Sequence, residues 1–200
     1  MYGRWTDYLG GRLGSSTQGE GEQPSRGQGA AAETMDEVPV SPYVQTRTLR
    51  TLGVGTFGRV LLAREPGGGA DGRRVDVALK EYQGKFSRED VLWEAACLRK
   101  AAHANVVRLI DVRASTPGGE RDPDNLPILV FPPADIDLEN FLARRPGGAL
   151  PPELARRMMR QLAAALAHIH ALCLIHRDVK PGNCLIFLAG EVHGEFLGLI

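Results

Sequence analysis

His176-Arg177-Asp178-Val179-Lys180-Pro181-Gly182-Asn183 puts a carboxylate, an ammonium and a carboxamide into one short run that proline and glycine allow to turn. An ionised carboxylate such as Asp178 can orient a hydroxyl and take its proton. Lys180, two positions on, brings a compact positive charge suited to a transferring phosphate, whose negative charge spreads over three oxygens. Asn183 offers a neutral carbonyl oxygen, a hard ligand fit for magnesium. The run reads as a phosphoryl-transfer loop, against the plain alternative of a basic turn in which these residues meet by chance.

Upstream, Leu52-Gly53-Val54-Gly55-Thr56-Phe57-Gly58-Arg59-Val60 carries glycines at spacings of two and three. Without side chains, a backbone can come close to phosphates there. A dinucleotide-binding turn uses the same spacing, but it needs a helix opening at the motif and an acidic residue about twenty positions later. Here Val60-Leu61-Leu62-Ala63 reads as a strand, and the later region holds Arg73 and Arg74. The dinucleotide reading fails on both counts, leaving a glycine-rich loop around Phe57 that runs into a strand.

Val77-Ala78-Leu79-Lys80 follows as a second strand, and residues 87–101 read as a helix. Ser87 with Asp90 makes a capping-box start, and Val91, Ala95 and Leu98 recur at spacings of four and three. Glu94 lies on that inward stripe rather than on the solvated face, whereas Glu89 falls on another face with Trp93. A carboxylate placed inward needs a cation, and Lys80 is the expected partner.

These three motifs together resemble the eukaryotic protein kinase superfamily: H-R-D-x-x-x-x-N at His176, Arg177, Asp178 and Asn183, a glycine-rich loop, and V-A-x-K ending at Lys80. Val179 stands where the family pattern has Leu. Lys180 resembles the serine/threonine branch, so the resemblance implies transfer of the γ-phosphate of Mg-ATP to Ser or Thr hydroxyls of a protein substrate. It implies Asp178 and Lys180 as catalytic residues and Asn183 as a magnesium ligand. Lys80 would hold the α- and β-phosphates, fixed by Glu94. The loop residues Leu52, Gly53, Gly55, Gly58 and Val60 would cover ATP, with Val60 on the adenine.

The segment 127–138 is an apolar strand that breaks into prolines and then acids, and it looks like the family hinge. Phe131 takes the gatekeeper position, with Ala78 facing the adenine. The Pro132 carbonyl and the Ala134 amide would recognise the base, Asp137 would accept from the ribose hydroxyls, and Leu185 would lie under the adenine. Proline removes backbone donors, but not these two groups; it would stiffen the hinge instead. Within the family, the runs Leu129-Val130-Phe131, Asp137-Leu138 and Arg160-Gln161-Leu162 look nearest to cyclin-dependent and related CMGC kinases. The helix with Glu94 reads Val91-Leu92-Trp93-Glu94-Ala95-Ala96, where a cyclin-binding member would show a P-S-T-A-I-R-E type sequence, so cyclin dependence is not supported and the regulatory subunit is left unassigned.

The implied fold is α+β and protein-kinase-like: a complete β-rich small lobe and the first part of a helical large lobe. Residues 1–42 read as a disordered leader, rich in Gly, Ser, Gln and Glu over 10–33. The kinase domain would span 43–200, divided into a small lobe at 43–131, a hinge at 132–136 and a partial large lobe at 137–200. Glycines at 67–69 and Asp71-Gly72 mark one loop, and residues 115–125 a second. Pro151 and Pro152 open a long helix on which Leu154, Met158, Leu162, Leu166 and Ile169 form one stripe. Family Asp-Phe-Gly would come after Ile200. The reading is therefore an amino-terminal fragment, inactive by itself, with the stripe left uncovered; a shortened pseudokinase that binds nucleotide or protein is the alternative.

With 43 % hydrophobic residues the chain can bury a core, and a formal net charge of zero gives no reason to expect nucleic-acid or acidic-membrane binding. Three cysteines, far apart, suit a reducing compartment and have no metal-ligand spacing. Cys97 and Cys173 are expected as packing thiols on helices, and Cys184 as a candidate oxidation-sensitive thiol. His168, His170 and His103 are expected to be surface or structural residues. No membrane span or signal pattern is visible, which points to a soluble intracellular protein of cytoplasm or nucleus.

Overall fold

A computed structural model describes residues 38–55, 58–67, 74–84, 86–122, 124–188 and 195–199. Phe57, the loop tip, lies outside the described residues, as do positions 1–37 of the expected leader and the Gly68 to Gly72 loop. The glycine-rich stretch forms β1 (Arg47–Gly55) and β2 (Gly58–Arg64), an antiparallel hairpin continued by β3 (Asp76–Tyr82). The pairing of this edge strand shifts register between Thr48 and Arg50 and between Thr51 and Gly53, the pattern of bulges. Gly58 has φ +138, and a Cβ there would stand 2.0 Å from the Glu81 carbonyl oxygen, so only glycine fits.

Next come α1 (Arg88–Lys100), β4 (Asp111–Arg113) and β5 (Ile128–Phe131), giving a five-stranded sheet in the order β1-β2-β3-β5-β4. The expected capping box is present at both bonds: Ser87 Oγ accepts from Asp90 N, and Asp90 accepts from Ser87 N. Glu89 and Asp90 at the first turn and Arg99 and Lys100 at the last complement the helix dipole. The central strand β3 is buried on both faces. Ala78 and Tyr82 join Val91, Ala95 and Phe131 on the α1 side, while Val77 and Leu79 pack with Leu61, Ala63 and Val130 on the other. Val38 and Ser41, which fall within the expected leader, contact the folded residues. Val38 is buried, and Ser41 pairs with Arg113 while its hydroxyl donates to Asp111 at 2.7 Å.

After the hinge, β6 (Ile136–Asp137) leads into α2 (Leu138–Ala143), then α3 (Pro152–Ala171), β7 (Cys184–Leu188) and β8 (Glu195–Leu199). Pro152 occupies the first position of α3, where its fixed φ and missing N–H cost nothing. Just past the helix, Cys173 has φ +59, the left-handed turn that glycine commonly supplies, and Leu174 N closes onto Ile169 O at 2.9 Å. Cys173 is thus exposed beyond the helix rather than a packing thiol on it.

The apolar stripe of α3 is covered, contrary to expectation. Leu154, Met158 and Ile169 are buried with Ile186 of β7 and Leu199 of β8, and Leu162 and Leu166 pack against them. Backbone bonds from Val107 N to Leu199 O and from Leu199 N to Asn105 O fasten β8 to the segment after α1. The whole is the α+β, protein-kinase-like architecture anticipated from the motifs. No helix among the described residues is long and apolar enough to cross a membrane.

Candidate active site

The alternation of β3 sends Ala78, Lys80 and Tyr82 to one face, and α1 lies across that face with Glu94 on its inner side. Lys80 Nζ donates to Glu94 Oε1 at 2.6 Å, with 20 % and 32 % of the two side chains exposed. The inward carboxylate has the cation that its position demands. Beneath the pair, Lys80 Nζ stands 5.0 Å from the centre of the Tyr82 ring, itself edge-on to Phe86. Burial, reinforced by the Glu94 charge, holds the Tyr82 phenol well above its usual range. Tyr82 was not picked out by motif, although its place two residues after Lys80 puts it on the same strand face.

The residues expected around an adenine ring converge. Leu52, Val60 and Leu185 pack against the cluster that holds Ala78 and Phe131, and Ala78 pairs with Phe131 across β3 and β5. No backbone hydrogen bond joins the Pro132 carbonyl or the Ala134 amide to another described residue, so both hinge groups have capacity for a ligand. The hinge is tied to β7 instead through Asp135, whose N–H donates to Ile186 O and whose carboxylate accepts from Leu188 N at 2.7 Å. Gly53 and Gly55 meet no atom within 4 Å of an added Cβ. Packing therefore does not demand glycine at either position, and the space beside them is open to a ligand such as phosphate.

Asp137, expected to face ribose, caps α2. It accepts from Asn140 N at 2.8 Å and from Asn140 Nδ2 at 2.6 Å. Its remaining lone pairs are what a ribose hydroxyl could use.

In the run from His176 to Asn183 the three functional groups meet. Lys180 Nζ donates to Asp178 Oδ2 at 2.8 Å, and Asn183 Nδ2 donates to the same oxygen at 2.9 Å and to the Asp178 carbonyl at 2.7 Å. The Lys180 bond holds the Asp178 carboxyl below its usual range, against partial burial and with help from Asn183. With the Asn183 amide nitrogen on Asp178, its carbonyl oxygen is the group that can ligate a cation. Magnesium characteristically takes one or two protein oxygens plus phosphates and water, so this sparse donor set fits it. Among the described residues no group of three or more His, Cys, Asp or Glu forms a closed metal cage.

Two contributions were not legible in the run. His176 Nδ1 accepts from Asp178 N at 3.2 Å, fixing the loop turn, and Arg177 has φ +66, a backbone conformation that costs energy for a residue with a side chain. Cys184, adjacent to Asn183, is buried and its thiol is pushed up by burial, which removes the basis for oxidation sensitivity. Cys97 is likewise pushed up, to about 11, by burial and the nearby Glu94 charge. His168 is half-buried: it stacks on His103 with ring centres 4.8 Å apart, and its Nε2 is buried without a partner among the described residues.

A family model described as "Protein kinase domain" matches residues 46–193. Cyclin-dependent kinase 4 of Mus musculus is 37 % identical over 158 residues, covering 74 % of this chain and 50 % of that protein. Cyclin-dependent kinase 4 of Xenopus laevis is 31 % identical over 158 residues, covering 78 % and 48 %. The carbon catabolite-derepressing protein kinase of Candida tropicalis is 30 % identical over 161 residues, covering 74 % and 24 %. The chain spans about half the length of its cyclin-dependent kinase 4 relatives.

Proposed function

This chain belongs to the protein kinase family, and on that premise we propose that its residues form the ATP site and catalytic loop of a serine/threonine protein kinase of CMGC-like type. The observation that carries the reading is that two separate constellations are each assembled, Lys80 with Glu94 before the hinge in the chain and Asp178 with Lys180 and Asn183 after it.

The Pro132 carbonyl and Ala134 N–H bind the adenine edge, between Val60 and Ala78 on one side and Leu185 on the other. The β1–β2 hairpin covers the phosphates by backbone contacts at Gly53 and Gly55. Lys80, held by Glu94, fixes the α- and β-phosphates. Asp178 orients the substrate hydroxyl and accepts its proton as the new oxygen–phosphorus bond forms and the bond to the ADP leaving oxygen breaks. Lys180 balances the charge that spreads over the transferring group. Asn183 would hold magnesium, which when bound neutralises phosphate charge.

Protein Ser or Thr hydroxyls are the proposed substrates, and the intracellular space the proposed setting. Dependence on a cyclin is a property in the name of the relatives; here the regulatory subunit stays unassigned. The 200 residues contain no Asp-Phe-Gly, so this stretch on its own is proposed to lack turnover.

The test uses the full-length protein with γ-labelled ATP and a generic Ser/Thr substrate. Transfer that Asp178→Asn abolishes supports the reading. Nucleotide binding without transfer would favour the pseudokinase module, and absence of both would overturn the assignment of the site.

A further inference from the structure

Arg88 occupies the first position of α1, where a cation opposes the positive end of the helix dipole. Its place is explained by its bonds. Nη1 donates to the carbonyls of Asn125 at 2.7 Å and Asp122 at 3.2 Å, and Nη2 donates to the carbonyl of Glu120. All three acceptors belong to the loop between β4 and β5. A planar fork of donors suits converging carbonyls in a way that a single ammonium does not.

The loop is itself held from within. Asn125 is 8 % exposed, and its Oδ1 accepts from Ser115 N at 3.0 Å and Ser115 Oγ at 2.8 Å. Its Nδ2 donates to Thr116 Oγ1 at 2.6 Å. Gly119 lies against this amide so closely that a Cβ there would come within 2.4 Å of Nδ2. Turns bonded from Gly119 N to Thr116 O, Asp122 N to Gly119 O and Asn125 N to Asp122 O present the carbonyls that Arg88 takes. A loop rooted in the sheet by β4 and β5 thus grips the first turn of the helix that carries Glu94.

We propose that Arg88 is a positioning residue: by clamping α1 to the β4–β5 loop it keeps Glu94 on Lys80. Arg88 and Glu94 are six residues apart, about 9 Å along the helix axis and on different faces. The clamp and the ion pair therefore hold α1 at two separated points, while Val91 between them and Ala95 just beyond seat it on the core. A helix pinned at one point can pivot about it; two points fix its rotation and its distance from β3. Glu94 needs both, since a charged hydrogen bond weakens steeply with misalignment. The proposal concerns regulation of the site assigned above and rests on that reading for its catalytic consequence. The mechanical coupling stands without it.

The experiment is hydrogen exchange on the full-length protein, wild type against Arg88→Ala, Arg88→Lys and Asn125→Ala, with steady-state phosphotransfer measured alongside. Arg88→Ala and Asn125→Ala should speed exchange in α1 by about tenfold while β2 and β3 keep wild-type rates, and Arg88→Lys should fall between. The turnover lost in Arg88→Ala should vanish as a separate effect in a Glu94→Gln background, because the clamp acts through Glu94. Unchanged α1 exchange, or a rise shared by the whole small lobe, would overturn the proposal, as would losses that add in the double variant. If the wild type shows no phosphotransfer, the functional reading fails alone, and exchange still decides the clamp.

Discussion

Lys80 Nζ and Glu94 Oε1 stand 2.6 Å apart and join the middle strand of the sheet to α1, which lies across it. Removing the cation leaves Glu94 facing the core edge without its partner and takes a positive charge from the phosphate site. In the full-length protein Lys80→Met should lower kcat by about 100-fold or more, the scale of losing one preorganised charge contact. Near-normal turnover with ATP would refute the assignment.

The glycines of the hairpin divide into two kinds. Gly58 cannot take a side chain, since a Cβ would meet the Glu81 carbonyl at 2.0 Å. Gly58→Ala should cost about 3 kcal/mol or more in urea unfolding. Gly55 has open space around it, so Gly55→Ala should leave the midpoint within a few tenths of a molar and act on nucleotide affinity instead. Equal destabilisation by both would show that the hairpin geometry is misassigned.

Stability should depend on Asp178 in one pH window only. The Lys180 bond, with Asn183, lowers the folded carboxyl below its unfolded value of about 3.9. A depressed value contributes stability that is fully present above the unfolded pKa and is lost as pH falls through the folded one. The difference in unfolding free energy between wild type and Asp178→Asn should be flat from pH 6 to 8 and change below about pH 4. A difference that moves between pH 6 and 8 would implicate another group.

Neighbouring methionines on α3 test whether its stripe is covered. Met158 is 2 % exposed and Met159 58 %. Met158→Ala should cost about 2–5 kcal/mol and Met159→Ala less than about 0.5 kcal/mol, read by chemical unfolding. Similar small costs at both positions would mean that the stripe is open.

The thiols should separate by reactivity. Cys173 is exposed, Cys184 is buried, and the Cys97 thiol is pushed up to about 11. A brief maleimide pulse on the native protein, mapped by mass spectrometry, should label Cys173 first by a wide margin. Fast labelling of Cys184 would contradict its burial.

Local order was legible wherever a short repeat decides which residues share a face. The capping box at Ser87, the inward Glu94 and the strand from Val60 to Ala63 all follow from periods of 3.6 or 2 read along the chain. So did the residue types of the run from His176 to Asn183, because their chemistry narrows what such a cluster can do. The sequence by itself determined the elements, the pairing of Lys80 with Glu94 and the candidate catalytic groups. Tertiary structure alone decided that Met158 and Ile169 are covered by β7 and β8. It alone seated His168 on His103 and gave Arg88 its three carbonyls. These contacts join residues far apart in the chain, so no repeat encodes them. They depend on how loops close and where side chains then point, which only the packed chain specifies.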